Sequence, residues 1–332
     1  MASVRCLLGY YLKAGSRETL FTKHRCHRLL NYTAIPYDHD KDPAPLFFSP
    51  DVQQLLSELT RADFAKVFRK RKLGRHKLAQ PEYKFMTDKE LNEAMEKAKR
   101  KAAKLLQIPP VVSVRKPVDR VLSRDPALLG LDESRFVFTD ITYGIKDRDR
   151  LVVVREPDGT LREAEWELRK RVNQIYFPMR GRALKTPKMF DGEYLADVLS
   201  RKEYEFILEA ACVQFEPDDP EYQRVVSITY QHINDNHAFD LLRSTRHFGA
   251  LTFFLVWNKC IDNLLQELIG SLHLDEAVKL LRLYSKIHHV EFEGSDQLEL
   301  LEDFARKYSV RRGALELVIQ ACRDTAKEKE EV

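Results

Sequence analysis

The feature that most constrains the fold is the helical spacing of apolar residues throughout the second half of the chain. From about residue 193 onwards, apolar side chains recur at intervals of three and four residues, and the β-branched runs typical of strands are absent. One such set is Tyr204, Ile207, Leu208, Ala211 and Phe215. Short polar loops between the sets favour antiparallel neighbours. We therefore predict an all-helical antiparallel stack of six to eight helices over residues 191–332.

Strand signals are concentrated at residues 135–163. The segments FVFTDITYG, RLVVVRE and TLREA are joined by the polar IKDRD and by Pro157-Asp158-Gly159, which is a strong turn signal. Leu151 to Val154 is apolar without alternation, which indicates a strand covered on both faces. We predict a three-stranded antiparallel β-meander with this strand in the middle. A helix from about 164 to 177 should pack on it, and 111–134 should be extended or irregular.

Two helices are predicted before the meander. Ser49-Pro50-Asp51 has the form of a helix start, with a capping Ser and Pro at the first helical position. Thr87 with Glu90 three residues later forms a capping box, and Pro109 and Pro110 should stop the helix that it opens. The fold class is therefore α+β and predominantly helical, with a small β-meander flanked by helices.

The first 32 residues have the composition of a mitochondrial transit peptide. They contain six Lys or Arg, a single acid (Glu18) and short apolar clusters between the charges. The alternative is a solvated basic arm on a cytosolic protein. We favour the transit peptide and a location in the mitochondrial matrix. Four prolines at 33–50 predict a linker between this segment and the folded body.

Charge divides the remaining chain into two regions of opposite sign. Residues 33–190 carry 33 basic and 23 acidic side chains, a net charge of +10. Residues 191–332 carry 16 basic and 27 acidic side chains, a net charge of −11. We predict a basic α+β region at 51–190, facing a polyanion, and an acidic helical region at 191–332, facing other proteins.

Two basic stretches are candidates for contact with RNA phosphates. Dense like charges repel one another, and a phosphate backbone relieves this repulsion as its counterions are released. Such contacts position a protein on RNA without reading bases. The alternative is a solvated lysine-rich face. The candidate residues are Arg61, Lys66, Arg69, Lys70, Arg71, Lys72, Arg75 and Lys77 in the first stretch, and Arg180, Arg182, Lys185 and Lys188 in the second.

The sequence contains no recognisable catalytic motif. A P-loop, a dinucleotide fingerprint and the HExxH and GxSxG patterns are all absent, so we expect no enzymatic activity and no cofactor. We interpret the histidines, including His232, His237 and His247, as surface or helix-end residues rather than a metal site. The acidic EPDDPE at 216–221 fits capping of a helix N-terminus. No apolar run approaches the length needed to cross a bilayer.

A resemblance narrows the function further. The segment FVFTDITYGIKDRDRLVVVREPDGTLREAEWELRKRVNQIYFP (136–178) resembles a family of mitochondrion-specific ribosomal proteins, small-subunit protein twenty-two. YKFMTDKEL, IPPVV, QFEPDDPEY and DLLRSTRHFG resemble the same family in the same order. The resemblance implies a non-catalytic structural component of the mitochondrial small ribosomal subunit, contacting ribosomal RNA and neighbouring ribosomal proteins. Two alternatives remain open, a free matrix RNA-binding adaptor of helical-repeat type and a matrix enzyme with an unrecognised site.

Overall fold

The structure, a computed structural model, describes residues 41–68, 83–130 and 132–330. These residues form thirteen helices and one four-stranded antiparallel sheet, which confirms the predicted α+β, predominantly helical class. The predicted transit peptide at 1–32 lies outside the described residues, so it stays a prediction.

Four helices precede the sheet: α1 (Ala44–Phe47), α2 (Pro50–Thr60), α3 (Phe64–Val67) and α4 (Asp88–Leu105). Helix α2 begins at the predicted position, after Ser49 and with proline at its first residue. The predicted capping box of α4 is also present. Its Thr87 and Glu90 side chains each bind the other's backbone N–H, which satisfies two donors that a helix start leaves unpaired.

The predicted linker at 33–50 contains a helical turn instead of irregular chain near its end. Helix α1 lies within it, and the Phe47 side chain is only 1% exposed. The prolines therefore do not mark a solvated spacer at this point. Pro43 caps α1 and Pro50 opens α2, both positions where a missing N–H costs nothing, and burial of Phe47 stabilises the turn.

The sheet has one strand more than predicted. Its strands are β1 (Val121–Arg124), β2 (Phe136–Thr139), β3 (Val152–Arg155) and β4 (Thr160–Glu163), in the order β1-β4-β3-β2. Strand β1 comes from the segment predicted to be extended or irregular, and it pairs antiparallel with β4. Its four side chains are all exposed, so it carries no periodic apolar signal that sequence could reveal.

Strand β3 lies inside the sheet as predicted, but only one of its faces is fully covered. Val152 and Val154 are buried, whereas Val153 and Arg155 are partly exposed. Helix α5 (Trp166–Tyr176) supplies the cover, because Val152 and Val154 form a small apolar cluster with its Val172. The prediction that both faces are covered was therefore wrong, and the predicted packing of this helix on the sheet is confirmed.

The second half contains eight helices, within the predicted range. Helix α9 is the most buried of them, since every residue from His247 to Val256 is inaccessible to solvent, as expected for a core helix. The eight helices are α6 (Gly192–Ser200), α7 (Tyr204–Gln214), α8 (Pro220–Asp235), α9 (His247–Trp257), α10 (Asp262–Gly270), α11 (Leu274–His288), α12 (Gln297–Lys307) and α13 (Arg312–Glu330).

The main core joins the N-terminal helices to the second half. Phe47, Val52 and Leu56 belong to the same cluster of buried side chains as the interior of the helical stack. Helix α2 packs directly against α9 and α11. The core is thus not divided at residue 190, because α2 buries its apolar face only on helices that come almost 200 residues later.

We expect Phe47→Ala to lower the free energy of unfolding by about 3–5 kcal/mol, because truncating a core phenylalanine leaves a cavity. The Phe47 ring lies edge-on to Phe253 of α9, with centroids 5.2 Å apart. Denaturant unfolding measures the change. The control is Phe48→Ala, where the side chain is 56% exposed and the expected change is below about 1 kcal/mol. Equal effects of the two variants would contradict this placement of α1.

Candidate nucleic-acid interface

Two candidate phosphate ligands of the first basic stretch are described, and both already have acidic partners. The Arg61 guanidinium donates to both carboxylate oxygens of Glu276 on α11, with Nη2 2.6 Å from Oε2. Lys66 lies 3.5 Å from a carboxylate oxygen of Asp240 and is 44% exposed. Arg61 therefore holds α2 against the acidic half, whereas Lys66 is still accessible to solvent.

The other six residues of that stretch, Arg69, Lys70, Arg71, Lys72, Arg75 and Lys77, lie outside the described residues. Their contact with RNA stays a prediction. The described chain stops at Phe68, immediately before them, and resumes at Tyr83 ahead of α4.

A basic surface that the sequence analysis did not single out lies on the second half of α4. We call it the helix patch, and all five of its side chains are exposed. Counting charge along 97–104 finds it, since no acid falls within those eight residues. Only one of its members has a carboxylate partner among the described residues, the i,i+3 pair of Lys99 with Glu96. The members are Lys97, Lys99, Arg100, Lys101 and Lys104.

The helix patch lies next to the start of the first basic stretch. The Lys101 ammonium is 5.6 Å from the centroid of the Phe68 ring, a cation–π distance. Phe68 in turn stacks on Phe64 of α3, and α3 packs on α4. Phe68, the last described residue before this stretch, therefore lies beside a helix that carries five cations.

The second basic stretch is a loop fastened to the end of α7. The backbone N–H and C=O of Ala183 bond to the side-chain amide of Gln214, at 2.9 and 3.0 Å. Arg182 donates to Glu216 at 2.7 Å and to the backbone oxygen of Val213 at 3.3 Å. Arg182 therefore anchors the loop, and its side chain is only 13% exposed.

The other three candidates in this loop have the exposure that phosphate contact requires. Arg180, Lys185 and Lys188 are exposed, and none has an acidic partner among the described residues. We call these three side chains the loop patch. Because Arg182 and Gln214 fix the backbone between them, the loop patch is held on a supported segment and not on a free tail.

The acidic segment 216–221 caps a helix, as predicted, and also forms a buried ionic cluster. Asp219 accepts a hydrogen bond from the backbone N–H of Glu221 at the start of α8. The same carboxylate pairs with Arg115 at 2.9 Å and with Lys170 of α5. Burial lowers the pKa of Lys170 to about 8, and the neighbouring cations Arg115 and Arg182 act in the same direction.

This cluster joins the sheet-bearing segment to the helical half. Arg115 also donates its backbone N–H to the carbonyl of Asp218 at 2.9 Å, and its guanidinium lies over the Trp166 ring of α5. The Gln223 side chain binds the carbonyl of Val112 at 2.7 Å. The acidic segment 216–221, predicted from the sequence to cap a helix, thus also holds α5 and the segment that contains Arg115 in place.

Two histidines predicted at the surface or at helix ends are buried. His247 is 1% exposed and lies 3.2 Å from a carboxylate oxygen of Glu209, and His232 bonds to the Tyr204 hydroxyl at 3.0 Å. Burial lowers the pKa of both imidazoles below the usual value of 6.5. His247 is the first residue of α9 and His232 lies in the last turn of α8, so both are at helix ends as predicted. Neither is at the surface, because neighbouring helices offer each of them a polar partner inside the core.

Within residues 41–68, 83–130 and 132–330, no group of three His, Cys, Asp or Glu side chains is placed to hold a metal ion. In the same residues no helix is both long and apolar enough to cross a bilayer.

We expect Asp219→Asn to lower the free energy of unfolding by about 3 kcal/mol, because it removes the nearer buried carboxylate from Arg115 and leaves only Asp218 at 4.0 Å. Asparagine keeps a side-chain oxygen for the helix cap, so the variant isolates the charge. Denaturant unfolding measures the loss. The matched control is Asp197→Asn, whose 68% exposed carboxylate pairs with Arg201 and contributes about 1 kcal/mol or less. A loss at Asp219 no larger than the control's would argue against the ionic cluster.

Acidification should destabilise the fold through His247. The unfolded chain binds a proton near pH 6.5, whereas the folded chain resists it because its imidazole pKa is lowered. The free energy of unfolding should therefore fall as the pH drops below about 6.5. His247→Gln should lose less stability than the unmodified chain between pH 7.5 and 5.5. The exposed His273→Gln should follow the unmodified chain, and an unchanged slope for His247→Gln would refute the assignment.

Comparison with known proteins places this chain in a family. The family model for mitochondrial 28S ribosomal protein S22 matches residues 45–289, more than half of the chain. Small ribosomal subunit protein mS22 of Mus musculus is 39% identical over 283 residues, which cover 83% of this chain and 78% of that protein. The mS22 protein of Bos taurus is 38% identical over 284 residues, with the same shares covered. The chain belongs to the mitochondrial 28S ribosomal protein S22 family.

Proposed function

We propose that this protein is a non-catalytic structural component of the mitochondrial small ribosomal subunit. Membership of the S22 family, whose model spans 45–289, is the observation that carries the proposal. Relatives named as small ribosomal subunit proteins, with identity of 38–39% over 83% of this chain, support it. Residues 1–32 contain six Lys or Arg and only one acid, which is the composition of a transit peptide and supports a location in the mitochondrial matrix.

The basic side chains left free by the fold are the proposed contacts with ribosomal RNA. The helix patch and the loop patch are exposed, while Arg61 and Arg182 are used to hold the protein together. Lysine and arginine side chains on a helix surface and a loop neutralise phosphates and release counterions, which favours binding to any suitably shaped RNA backbone. Such contacts position the protein without reading a base sequence.

The helical half is the proposed contact surface for neighbouring ribosomal proteins. Residues 191–332 keep a net charge of −11, and a cationic partner would be attracted to this surface. The apolar face of α2 and Phe190, which lies two residues after Lys188, are buried in the core of the helical half, so the loop patch lies beside the helical stack. A connector between RNA and proteins needs no catalytic group to contribute to a particle.

Reversing the charge of the loop patch tests the proposal. The variant Arg180→Glu, Lys185→Glu, Lys188→Glu, expressed in cells without the endogenous protein, should shift from small-subunit fractions towards light fractions of a sucrose gradient. Losing three phosphate contacts should reduce the salt dependence of binding by about two to three units of the log–log slope. The shift to light fractions should therefore be seen at physiological salt, with the variant still folded.

The matched control reverses three exposed cations of the helical half, Lys202→Glu, Lys259→Glu and Arg282→Glu. It should stay in the small-subunit fractions, and thermal unfolding should show that both variants are folded. If the loop-patch variant co-migrates with the subunit even at raised salt, the loop does not contact RNA. If the unmodified protein itself lies in light fractions, the free RNA-binding adaptor replaces the ribosomal role.

A further inference from the structure

Among the described residues, one face of the sheet is covered by a helix and the other face is left open. Because paired residues of antiparallel strands share a face, Phe138 lies with Val153, and Phe136 lies with Arg155, on the side opposite the buried Val152 and Val154. We call this side the outer face. Phe136 is 45% and Phe138 53% exposed, although both are residues that a folded chain normally buries.

The outer face is apolar across three strands. Leu151 continues it beyond the end of β3, where its carbonyl accepts from the Asp140 N–H at 2.9 Å, and it is 48% exposed. Val153 and Leu161, which are partly exposed, complete the surface. Contiguous exposed apolar side chains on a soluble protein mark an interaction site, whereas scattered ones do not.

A single cation without a partner lies within this apolar surface. Arg155 faces Phe136 on one side and Leu161 on the other, and among the described residues it has no acidic partner. The adjacent residue, Glu156, already forms ion pairs with Arg135 and Arg162. Glu163, on the same face, pairs with Arg120 at 3.3 Å. Arg155, which is partly exposed, is therefore available to pair with a carboxylate of a binding partner.

Hydrogen bonds from Arg150 hold the backbone of the loop that follows β2. The buried Arg150 donates to the backbone oxygens of Asp140, Thr142 and Ile145, at 2.7, 3.1 and 3.0 Å. This fixed loop presents Tyr143, which is 99% exposed. A loop backbone fixed before binding reduces the conformational entropy lost on binding, and tyrosine is enriched among residues that dominate interface energies.

We propose that the outer face of the sheet, with Arg155 between Phe136 and Leu161 at the end of β3, docks a protein segment that carries apolar side chains next to a carboxylate. Protein fits better than single-stranded RNA. Sites for single strands combine aromatic side chains with a groove of many cations. Here three of the five apolar residues are aliphatic and offer no stacking surface, and one unpaired cation stands among them. The docking surface does not depend on the ribosomal role, since any partner of this chemistry would fit.

Photo-crosslinking of the full chain in intact mitochondria tests the docking surface. The replacement Phe138→p-benzoylphenylalanine should yield, on irradiation, an adduct resistant to ribonuclease and sensitive to protease. Mass spectrometry should identify a peptide of a different protein in which Asp or Glu neighbours apolar residues. Adding Arg155→Glu should lower the yield of this adduct by roughly tenfold, and Arg155→Lys should largely retain it, because the charge pair would be lost or kept.

The matched control is Arg124→Glu on β1, an exposed arginine of the same sheet, which should leave the yield unchanged. Thermal unfolding of each variant confirms that it is folded. A ribonuclease-sensitive adduct, an adduct with this chain itself, no adduct, or a yield insensitive to Arg155→Glu would each overturn the proposal. Gradient position is scored separately, so failure of the docking surface is distinguishable from failure of the ribosomal role.

Discussion

The carboxylate of Asp219 is the interaction on which the relation between the two halves depends. It caps α8 and accepts hydrogen bonds from Arg115 and Lys170, two cations that belong to the sheet-bearing part of the chain. A buried pair of this kind is weak as a source of stability, because desolvation offsets most of the attraction. Its contribution is geometric, since one carboxylate binds the start of α8, Arg115 and α5 together. The sheet and α5 are thereby given a fixed place beside the helical stack.

Internal ion pairs also decide which basic side chains are free. The opposite net charges of 33–190 and 191–332 suggest two separate surfaces, yet part of this charge is used where the halves meet. Arg61 with Glu276 and Arg182 with Glu216 are examples. Counting charge along the chain therefore overstates the accessible positive surface. Among the described residues, the helix and loop patches are two groups of cations that stay exposed.

Local signals made much of the fold predictable. The capping box at Thr87, the Ser49-Pro50 helix start and the inner position of β3 all depend on residues close together in sequence. Strand β1 was not predictable, because its four exposed residues are ordered by pairing with β4, almost forty residues later. The ion pair of Arg61 with Glu276 and the burial of His247 could not be predicted for the same reason, since each depends on a helix distant in sequence. The helix patch could have been predicted from the sequence, because residues 97–104 contain five basic side chains and no acid.

The place of α2 in the core has a consequence for the order in which the chain can fold. Its apolar face rests on α9 and α11, and its charges Asp51 and Arg61 pair with Lys286 and Glu276 of α11. A polypeptide that enters a compartment N-terminus first delivers α2 more than 200 residues before its partner helix arrives. Until then the apolar face of α2 is exposed, and closing so long a loop is slow. Completion of the core is therefore a late event, reached only when nearly the whole chain is present.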